Sequence, residues 1–202
     1  TKRETEVLEL LRQLRFEQVQ NKFVLGFGED YAFTFFKTEI SRLQDVGEVF
    51  YSENFRGIKH INGNNISGNI RTGKYNYFEM EFKIADIPPI ETVNILRAFR
   101  NNLKYYKLKS GEFIDLEEIE LKKFLKLIDS IAPEKLENNS VEIPKSKSTY
   151  IDEYIEENDI RYIKGKSELE EVRNKFRNVK KLKFKEPQGL RGSLRKYQKV
   201  GY

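Results

Sequence analysis

The segment 74–85 constrains the fold more strongly than any other part of the sequence, because its polar and apolar side chains alternate. The apolar members stand at every second position: Phe78, Met80, Phe82 and Ile84. Successive side chains of a strand point to opposite faces, so this period of two predicts a strand with one buried face. Residues 66–71 predict its partner strand, with a turn at Thr72-Gly73, because glycine tolerates the backbone conformations of tight turns.

Helical periodicity dominates most of the remaining chain. Apolar residues recur at intervals of three and four positions, which predicts helices with one buried face. The predicted helices are 4–18, 29–43, 88–102, 117–131, 149–157 and 167–176. Further predicted strands are 23–27, 47–51, 104–108, 112–116 and 160–163. This mixture predicts the α+β class, with a mixed or antiparallel sheet, hairpins and packed helices, followed by a basic extended C-terminal segment.

Two of the predicted helices begin with capping-box sequences. Asp115 is predicted to cap the helix at 117–131, with Glu118 closing the box three residues later. Ser167 and Glu170 stand in the same relation at the start of the last predicted helix.

The chain contains no cysteine and one histidine, which excludes several kinds of site. Disulfide frameworks, thiolate catalysis, iron–sulfur clusters and cysteine zinc sites are all excluded. His60 would have to serve any Ser–His–Asp arrangement, but no Gly-x-Ser-x-Gly elbow occurs, and we predict a surface or strand histidine. Gly26-Phe27-Gly28 lacks the further glycines or the lysine of a phosphate-binding loop and predicts a strand-to-helix turn. No apolar run has the length of a transmembrane helix.

Carboxylate and aromatic residues leave three alternatives open. Glu79 and Glu81 share one face of a strand, either as acid–base residues or, in the interpretation we favour, as a solvated face. The residues of the acidic segment offer either a solvated helix face, which we favour, or a carboxylate metal site: Asp152, Glu153, Glu156, Glu157 and Asp159. The aromatic residues of the hairpin offer either a base-stacking platform or core packing, which we favour: Tyr105, Tyr106 and Phe113.

Charge is distributed unevenly along the chain. Residues 159–202 contain 14 Lys/Arg and 5 Asp/Glu, a net charge of +9, whereas residues 1–158 have a net charge of −4. Such a basic segment can neutralise phosphates without regard to sequence, or it can be a solvated linker that balances an acidic body. The candidate nucleic-acid contacts are Lys175, Arg177, Lys180, Lys181, Lys183, Lys185 and Arg191.

The last residues, 194–202, read Leu-Arg-Lys-Tyr-Gln-Lys-Val-Gly-Tyr. This string resembles the first motif of the Swi/Snf family of helicase-like ATPases, which lies shortly before the phosphate-binding loop of the motor domain. The resemblance implies that Gln198 contacts the adenine of ATP and that Tyr197 packs beside the nucleotide. Arg195 occupies the basic position of the motif.

A second resemblance covers residues 101–116, which read Asn-Asn-Leu-Lys-Tyr-Tyr-Lys-Leu-Lys-Ser-Gly-Glu-Phe-Ile-Asp-Leu. This string is similar to the helicase-associated domain that precedes the motor in many bacterial Swi/Snf proteins. Residues 46–53 are similar to a strand of the same domain. Together, the two resemblances imply four segments: 1–132 a helicase-associated α+β body, 133–149 a linker, 150–185 a helical and basic connector, and 186–202 the start of a motor domain.

The resemblances imply a cytoplasmic bacterial parent protein that uses ATP and Mg²⁺ to move along double-stranded DNA. The chain itself has no Walker lysine and no Asp-Glu-x-His box, so we expect no ATP hydrolysis, no cofactor and no membrane association from these residues alone. The expected partners are DNA, the motor domain and a protein of the transcription or repair machinery. The expected role is to add DNA contacts or to restrain the motor. The alternatives are a protein-interaction module and a metal-dependent phosphodiesterase built on Glu79 and Glu81.

Overall fold

The computed structural model describes residues 2–52, 56–75, 77–131, 136 and 138–181, with the backbone alone for 175–181. The helices are α1 Lys2–Gln13, α2 Gly28–Thr34, α3 Ile40–Val46, α4 Pro89–Arg100, α5 Ile119–Ile131, α6 Ser148–Glu157 and α7 Lys166–Lys181. The strands are β1 Phe16–Val19, β2 Lys22–Leu25, β3 Ile66–Thr72, β4 Tyr77–Ile84, β5 Tyr105–Lys107, β6 Phe113–Asp115, β7 Ser140–Pro144 and β8 Ile163–Lys164. Helices combined with antiparallel and mixed sheets confirm the α+β class.

The chain forms two compact units. The first comprises Thr1–Asn62 and Ile90–Lys122, and the second comprises Gly63–Pro89 and Lys123–Tyr202. In the part of the chain that the structure describes, we find no helix with the length and apolar character needed to cross a bilayer.

The predicted helix at 4–18 is wrong in its second half. The helix α1 ends at Gln13, and Arg15 adopts a left-handed backbone conformation with φ 59°. The following residues form β1, whose Phe16 pairs with Leu25 of β2 in an antiparallel hairpin. The ring of Phe16 meets the ring of Phe35 edge-on at 5.4 Å. Tertiary packing of this aromatic side chain therefore overrides the helical period that continues through the sequence.

The predicted strand at 47–51 is also wrong. Residues 47–52 form no regular structure, and the side chain of Phe50 is 86% exposed. A strand is stabilised by a hydrogen-bonded neighbouring strand, and none of the described strands pairs with this segment. The predicted helix at 29–43, in contrast, is confirmed as α2 and α3, which a π-helical turn at Phe35–Glu39 joins.

Aromatic packing forms the core of the first unit. The hairpin β5–β6, predicted at 104–108 and 112–116, is confirmed and pairs Tyr106 with Ile114. Its tight turn includes Gly111, at φ 93°, a conformation that favours glycine. The ring of Phe33 stacks on the ring of Tyr105 at 4.6 Å and lies 6.0 Å from the ring of Phe113.

The second unit is built on a four-stranded sheet in the order β7-β4-β3-β8. The hairpin β3–β4 confirms the alternating segment, although β4 begins at Tyr77 rather than at residue 74. Its predicted buried face is confirmed, with exposures between 0% and 7% for Phe78, Met80, Phe82 and Ile84. The ring of Phe82 meets the ring of Phe124 of α5 at 5.1 Å. The core of this unit therefore includes one face of the sheet and helix α5.

The prediction of a linker at 133–149 is wrong for residues 140–149. Strand β7 pairs antiparallel with β4, with Val141 opposite Met80 and Ile143 opposite Phe78. Both β7 residues are buried, at 2% and 0% exposure. The alternation of apolar residues in β7 is short and lies among charged residues, so it is not apparent from the sequence. Pro144 stands at the last position of this edge strand, where proline is tolerated.

Strand β8 and helix α7 complete the second unit. The short strand predicted at 160–163 is wrong in its bounds, because β8 covers Ile163–Lys164 and pairs there in parallel with β3. Helix α7 begins at Lys166, so the prediction that Ser167 caps it is wrong, and it continues to Lys181 rather than ending near residue 176. Gly165, at φ 78°, precedes it, and a side chain there would place Cβ 1.9 Å from the carbonyl oxygen of Ile70. Only glycine therefore allows this close approach of α7 to the sheet.

Candidate functional site

Helices α6 and α7 bring together three carboxylates and one arginine. Asp152 and Glu156 stand four positions apart in α6, and therefore on one face, and Glu170 and Arg173 stand three apart in α7. Oxygen atoms of the three carboxylates lie within 4.8 Å of one another. Nη1 of Arg173 lies 2.7 Å from Oδ2 of Asp152 and donates a hydrogen bond to Oε2 of Glu156 at 3.2 Å. We call these four residues the Arg173 cluster.

Burial distinguishes Asp152 from the other acidic residues of its helix. Its side chain is 1% exposed, so the prediction of a solvated face is wrong for this residue, whereas Glu153, Glu156, Glu157 and Asp159 are exposed as predicted. Neither of its carboxylate oxygens accepts a hydrogen bond from a described residue. Its contact with Arg173 is therefore a close ion pair without hydrogen-bond alignment.

The electrostatics of the Arg173 cluster follow from that burial. Desolvation raises the pKa of Asp152, and the neighbouring acidic residues add to the shift, while Arg173 opposes it. The hydrogen bond to Glu156 raises the pKa of Arg173, and the negative charge of Asp152 adds to this effect. Carboxylate oxygens are also the ligands of hard divalent cations. Here, however, the guanidinium group of Arg173 already provides the positive charge for two of the three carboxylates. The Arg173 cluster therefore links α6 to α7, and we call this link the clamp.

The clamp lies directly before the predicted nucleic-acid contacts. Lys175, Arg177, Lys180 and Lys181 belong to the C-terminal half of α7, where only the backbone is described. The remaining predicted site residues lie outside the described residues: Lys183, Lys185, Arg191, Arg195, Tyr197 and Gln198. Acidic residues occupy the start of α7 and basic residues its end, which complements the helix dipole. The clamp therefore fixes the helix from which the basic segment continues.

His60 is a surface histidine, as predicted, with a side chain that is 76% exposed. Its Nδ1 lies 2.6 Å from Oε1 of Glu118, and Oε2 of Glu118 accepts the backbone N–H of Ile61 at 2.6 Å. The predicted capping box is therefore wrong, because Glu118 binds a distant loop and helix α5 begins at Ile119, four positions after Asp115. Oδ1 of Asp115 accepts the backbone N–H of Glu117 at 3.0 Å in the turn before the helix.

The paired carboxylates Glu79 and Glu81 share one face of β4, as predicted, and both contact Arg71 of β3. Nε of Arg71 lies 3.1 Å from Oε2 of Glu79, and Nη2 lies 2.5 Å from Oε1 of Glu81. The side chains of Arg71 and Glu81 are more than half exposed. This arrangement is a solvated ion-pair ladder across two strands, which agrees with the interpretation we favoured.

Tyr105 and Phe113 of the hairpin β5–β6 take part in core packing, which agrees with the interpretation we favoured. Phe113 is 3% exposed, and Tyr105 stacks on Phe33. The hydroxyl of Tyr105 donates a hydrogen bond to Oδ1 of Asp30 at 2.6 Å. Burial raises the pKa of Tyr105 to about 12, and the hydrogen bond to Asp30 adds to the shift.

Sequence analysis missed the basic partners of these acidic residues. Nζ of Lys37 lies 2.8 Å from Oδ2 of Asp115 and 3.7 Å from Oε2 of Glu117. The hydrogen bond to Asp115 raises the pKa of Lys37. Arg71 and Arg173 were not singled out either. Arg71 alone had a local signal, because the hairpin register places it opposite Glu79.

Comparisons with known proteins place the chain in a family. The family model described as bacterial SNF2 helicase associated matches residues 1–187. Neither the curated proteins nor the solved structures gave a match.

Proposed function

This chain belongs to the bacterial SNF2 helicase associated family, and we propose that it is the accessory domain of an ATP-dependent DNA translocase of the Swi/Snf type. The order of two segments carries this proposal. The family match ends at residue 187, and the string that resembles the first motif of a Swi/Snf motor follows at 194–202. In the parent protein, Gln198 would contact the adenine of ATP, with Tyr197 and Arg195 beside it, and the motor would supply the Mg²⁺ site and the hydrolysis.

The role we propose for the domain is to add DNA contacts to the motor or to restrain it until DNA binds. The net charge of +9 in residues 159–202, against −4 in the preceding residues, supports a polyanionic partner for the C-terminal part. The Arg173 cluster supports a fixed origin for that part, because it holds α7 against α6 through a buried ion pair. A basic segment that leaves a fixed helix can lie along DNA next to the motor.

Deleting residues 1–185 from the parent protein tests both roles. We expect weaker DNA binding if the domain adds contacts, or a higher ATPase rate without DNA if it restrains the motor. The measurements are DNA affinity and ATPase rate with and without DNA. Unchanged values of both would remove the proposed roles.

A charge substitution in the 202-residue chain tests direct DNA contact. The basic-segment variant carries four lysine-to-glutamine changes: Lys180→Gln, Lys181→Gln, Lys183→Gln and Lys185→Gln. We expect the slope of log affinity against log salt to decrease by about 3 to 4, because each lost phosphate contact removes about 0.9. A matched control removes four exposed lysines elsewhere: Lys83→Gln, Lys104→Gln, Lys109→Gln and Lys126→Gln. Equal losses in the two variants would show that only net charge matters.

A protein-interaction module is the second candidate function. The exposed aromatic side chains of the irregular segment 47–52 favour it, with Phe50 86% and Tyr51 46% exposed. Such side chains are common anchors in protein interfaces. This candidate predicts that Phe50→Ala abolishes partner capture by the parent protein and leaves DNA affinity unchanged. If both are unchanged, the candidate is rejected.

A further inference from the structure

Two segments without any acidic residue meet at one end of the sheet in the second unit. Residues 72–78 contain the turn between β3 and β4, and residues 143–151 contain the end of β7 and the start of α6. The strand register places Tyr77 opposite Pro144, so the segments are neighbours. Asp and Glu contribute 32 of the 202 residues of the chain, whereas these two segments contain none.

Exposed tyrosines are concentrated in these two segments. Tyr75 is 92% exposed, Tyr150 is 52% exposed and Tyr77 is 41% exposed. Tyr75 also adopts a left-handed backbone conformation, with φ 57°, which is unfavourable for a bulky side chain. The turn is closed by hydrogen bonds from the N–H of Gly73 to the carbonyl of Tyr77 at 3.1 Å and from the N–H of Tyr77 to the carbonyl of Lys74 at 3.4 Å. The hairpin therefore holds the Tyr75 ring in solvent at a local conformational cost.

Lysines accompany these tyrosines. Nζ of Lys145 lies 3.5 Å from the carbonyl oxygen of Tyr75 and 5.9 Å from the centre of the Phe78 ring. In the described part of the chain, no carboxylate forms an ion pair with Lys74 or Lys145. Helix α6 begins just beyond, at Ser148, and its N-terminus adds a partial positive charge. We call Lys74, Tyr75, Tyr77, Lys145 and Tyr150 the tyrosine–lysine surface.

Three carboxylates lie at the edge of this region, and none of them forms an ion pair with Lys74 or Lys145: Glu79, Glu142 and Glu168. Glu79, at the edge of this region, forms an ion pair with Arg71, and Glu168 of α7 accepts a hydrogen bond from the hydroxyl of Thr72. The lysines of the surface therefore keep their charge available to an external anion.

We propose that the tyrosine–lysine surface binds the phosphate backbone of double-stranded DNA as a second contact, separate from the basic segment. This proposal rests on the proposed function and locates part of the DNA contact on the folded sheet. Lysine and tyrosine side chains and helix N-termini are all frequent phosphate contacts in protein–DNA complexes. The lack of acidic residues favours an anionic partner. DNA is favoured over an acidic protein because its phosphates can also neutralise the basic residues of 159–202, which have a net charge of +9.

The test measures binding of the 202-residue chain to a labelled DNA duplex by fluorescence anisotropy over a range of salt concentrations. The test variant is Lys74→Gln with Lys145→Gln, and its control is Lys83→Gln with Lys126→Gln, which removes the same charge from exposed positions of the same unit. We expect the test variant to bind DNA roughly tenfold more weakly and to lower the salt slope by about 2, since two phosphate contacts are lost. Tyr75→Asn should weaken binding further without disturbing the turn, because asparagine tolerates positive φ.

Each outcome decides the proposal. Selective weakening in the test variant supports it. Equal weakening in test and control variants overturns it, as does displacement of the labelled DNA by duplex RNA at lower concentration than by duplex DNA. If the test variant binds normally while the basic-segment variant is weakened, this surface is excluded and the proposed function stands. If the unmodified chain binds no DNA, direct DNA contact fails for both sites.

Discussion

Two clusters in the second unit contain the same kinds of residue in different surroundings. The Arg173 cluster joins α6 to α7 and buries Asp152 at 1% exposure, whereas Arg71 joins Glu79 and Glu81 on an open face of the sheet. Water screens the charges of Arg71, Glu79 and Glu81, so their ion pairs contribute little to stability. Asp152 has no such screening, and Arg173 is the counter-charge that its burial requires. The number of ion pairs therefore says less about stability than the exposure of their members.

The two clusters should differ most in stability when the arginine is removed. We expect Arg173→Gln to lower the free energy of unfolding by about 3–5 kcal/mol, because it leaves a buried carboxylate without its counter-charge. Urea unfolding at neutral pH measures the change. A loss no greater than that of an exposed pair would mean that the two clusters are equivalent and that water reaches Asp152.

The effect of Arg173→Gln should also depend on pH. Because the pKa of Asp152 is raised above its usual value of 3.8 in the folded protein, the folded state holds this proton more tightly than the unfolded state. The stability from this proton is present below pH 3.8 and is lost as the pH rises through the folded-state value. Removal of Arg173 raises that value further, so the cost of the substitution should decrease as the pH falls. A cost that is constant between neutral and acidic pH would contradict this account.

A smaller effect is expected from the exposed member of the same cluster. Glu156→Gln removes the negative charge beside Arg173 but keeps an oxygen that can accept its hydrogen bond, and it leaves the ion pair with Asp152 intact. The side chain of Glu156 is 54% exposed, so we expect a loss of about 0.5–1 kcal/mol in urea unfolding. Glu153→Gln, on the same helix but outside the cluster, is the matched control. A loss of several kcal/mol would show that Glu156, and not Asp152, is the main partner of the arginine.

The smallest effect is expected for the exposed ion pairs of Arg71 with Glu79 and Glu81. Arg71→Gln should change the unfolding free energy by about 0–1 kcal/mol, and the difference should disappear in high salt because exposed pairs are screened. Unfolding measured at low and high salt tests both statements. A larger loss that persists in salt would mean that strand pairing depends on Arg71.

Local periodicity was sufficient to predict the parts of the fold that are stabilised locally. The hairpin β3–β4 combines an alternating segment with a turn, and both signals lie within a few residues of each other. Strand β7 and segment 47–51 show the limit, because only the presence of a partner strand decides between them. Strand β7 pairs with β4, whereas none of the described strands pairs with 47–51.

The same limit applies to the side chains of the candidate sites. The helical period places Asp152, but not Glu153, on the same face as Ile151 and Ile155. The sequence does not show which element covers that face. The difference between Asp152 and Glu153 arises when α7 packs on α6 and covers one face. His60 and Glu118 are separated by 58 positions, so their contact also depends on the tertiary fold. The basic segment was visible from composition because net charge needs no tertiary partner.

The close approach at Gly165 gives α7 a mechanical consequence. The helix is seated against the sheet where Gly165 meets Ile70, and it is held again at Arg173, about 12 Å further along its axis. Because α7 is held at these two points, it resists rotation against the sheet. A force applied to the chain beyond Lys181 is therefore transmitted through α7 to the sheet. A strand of the second unit would then bear any load that reaches the end of α7.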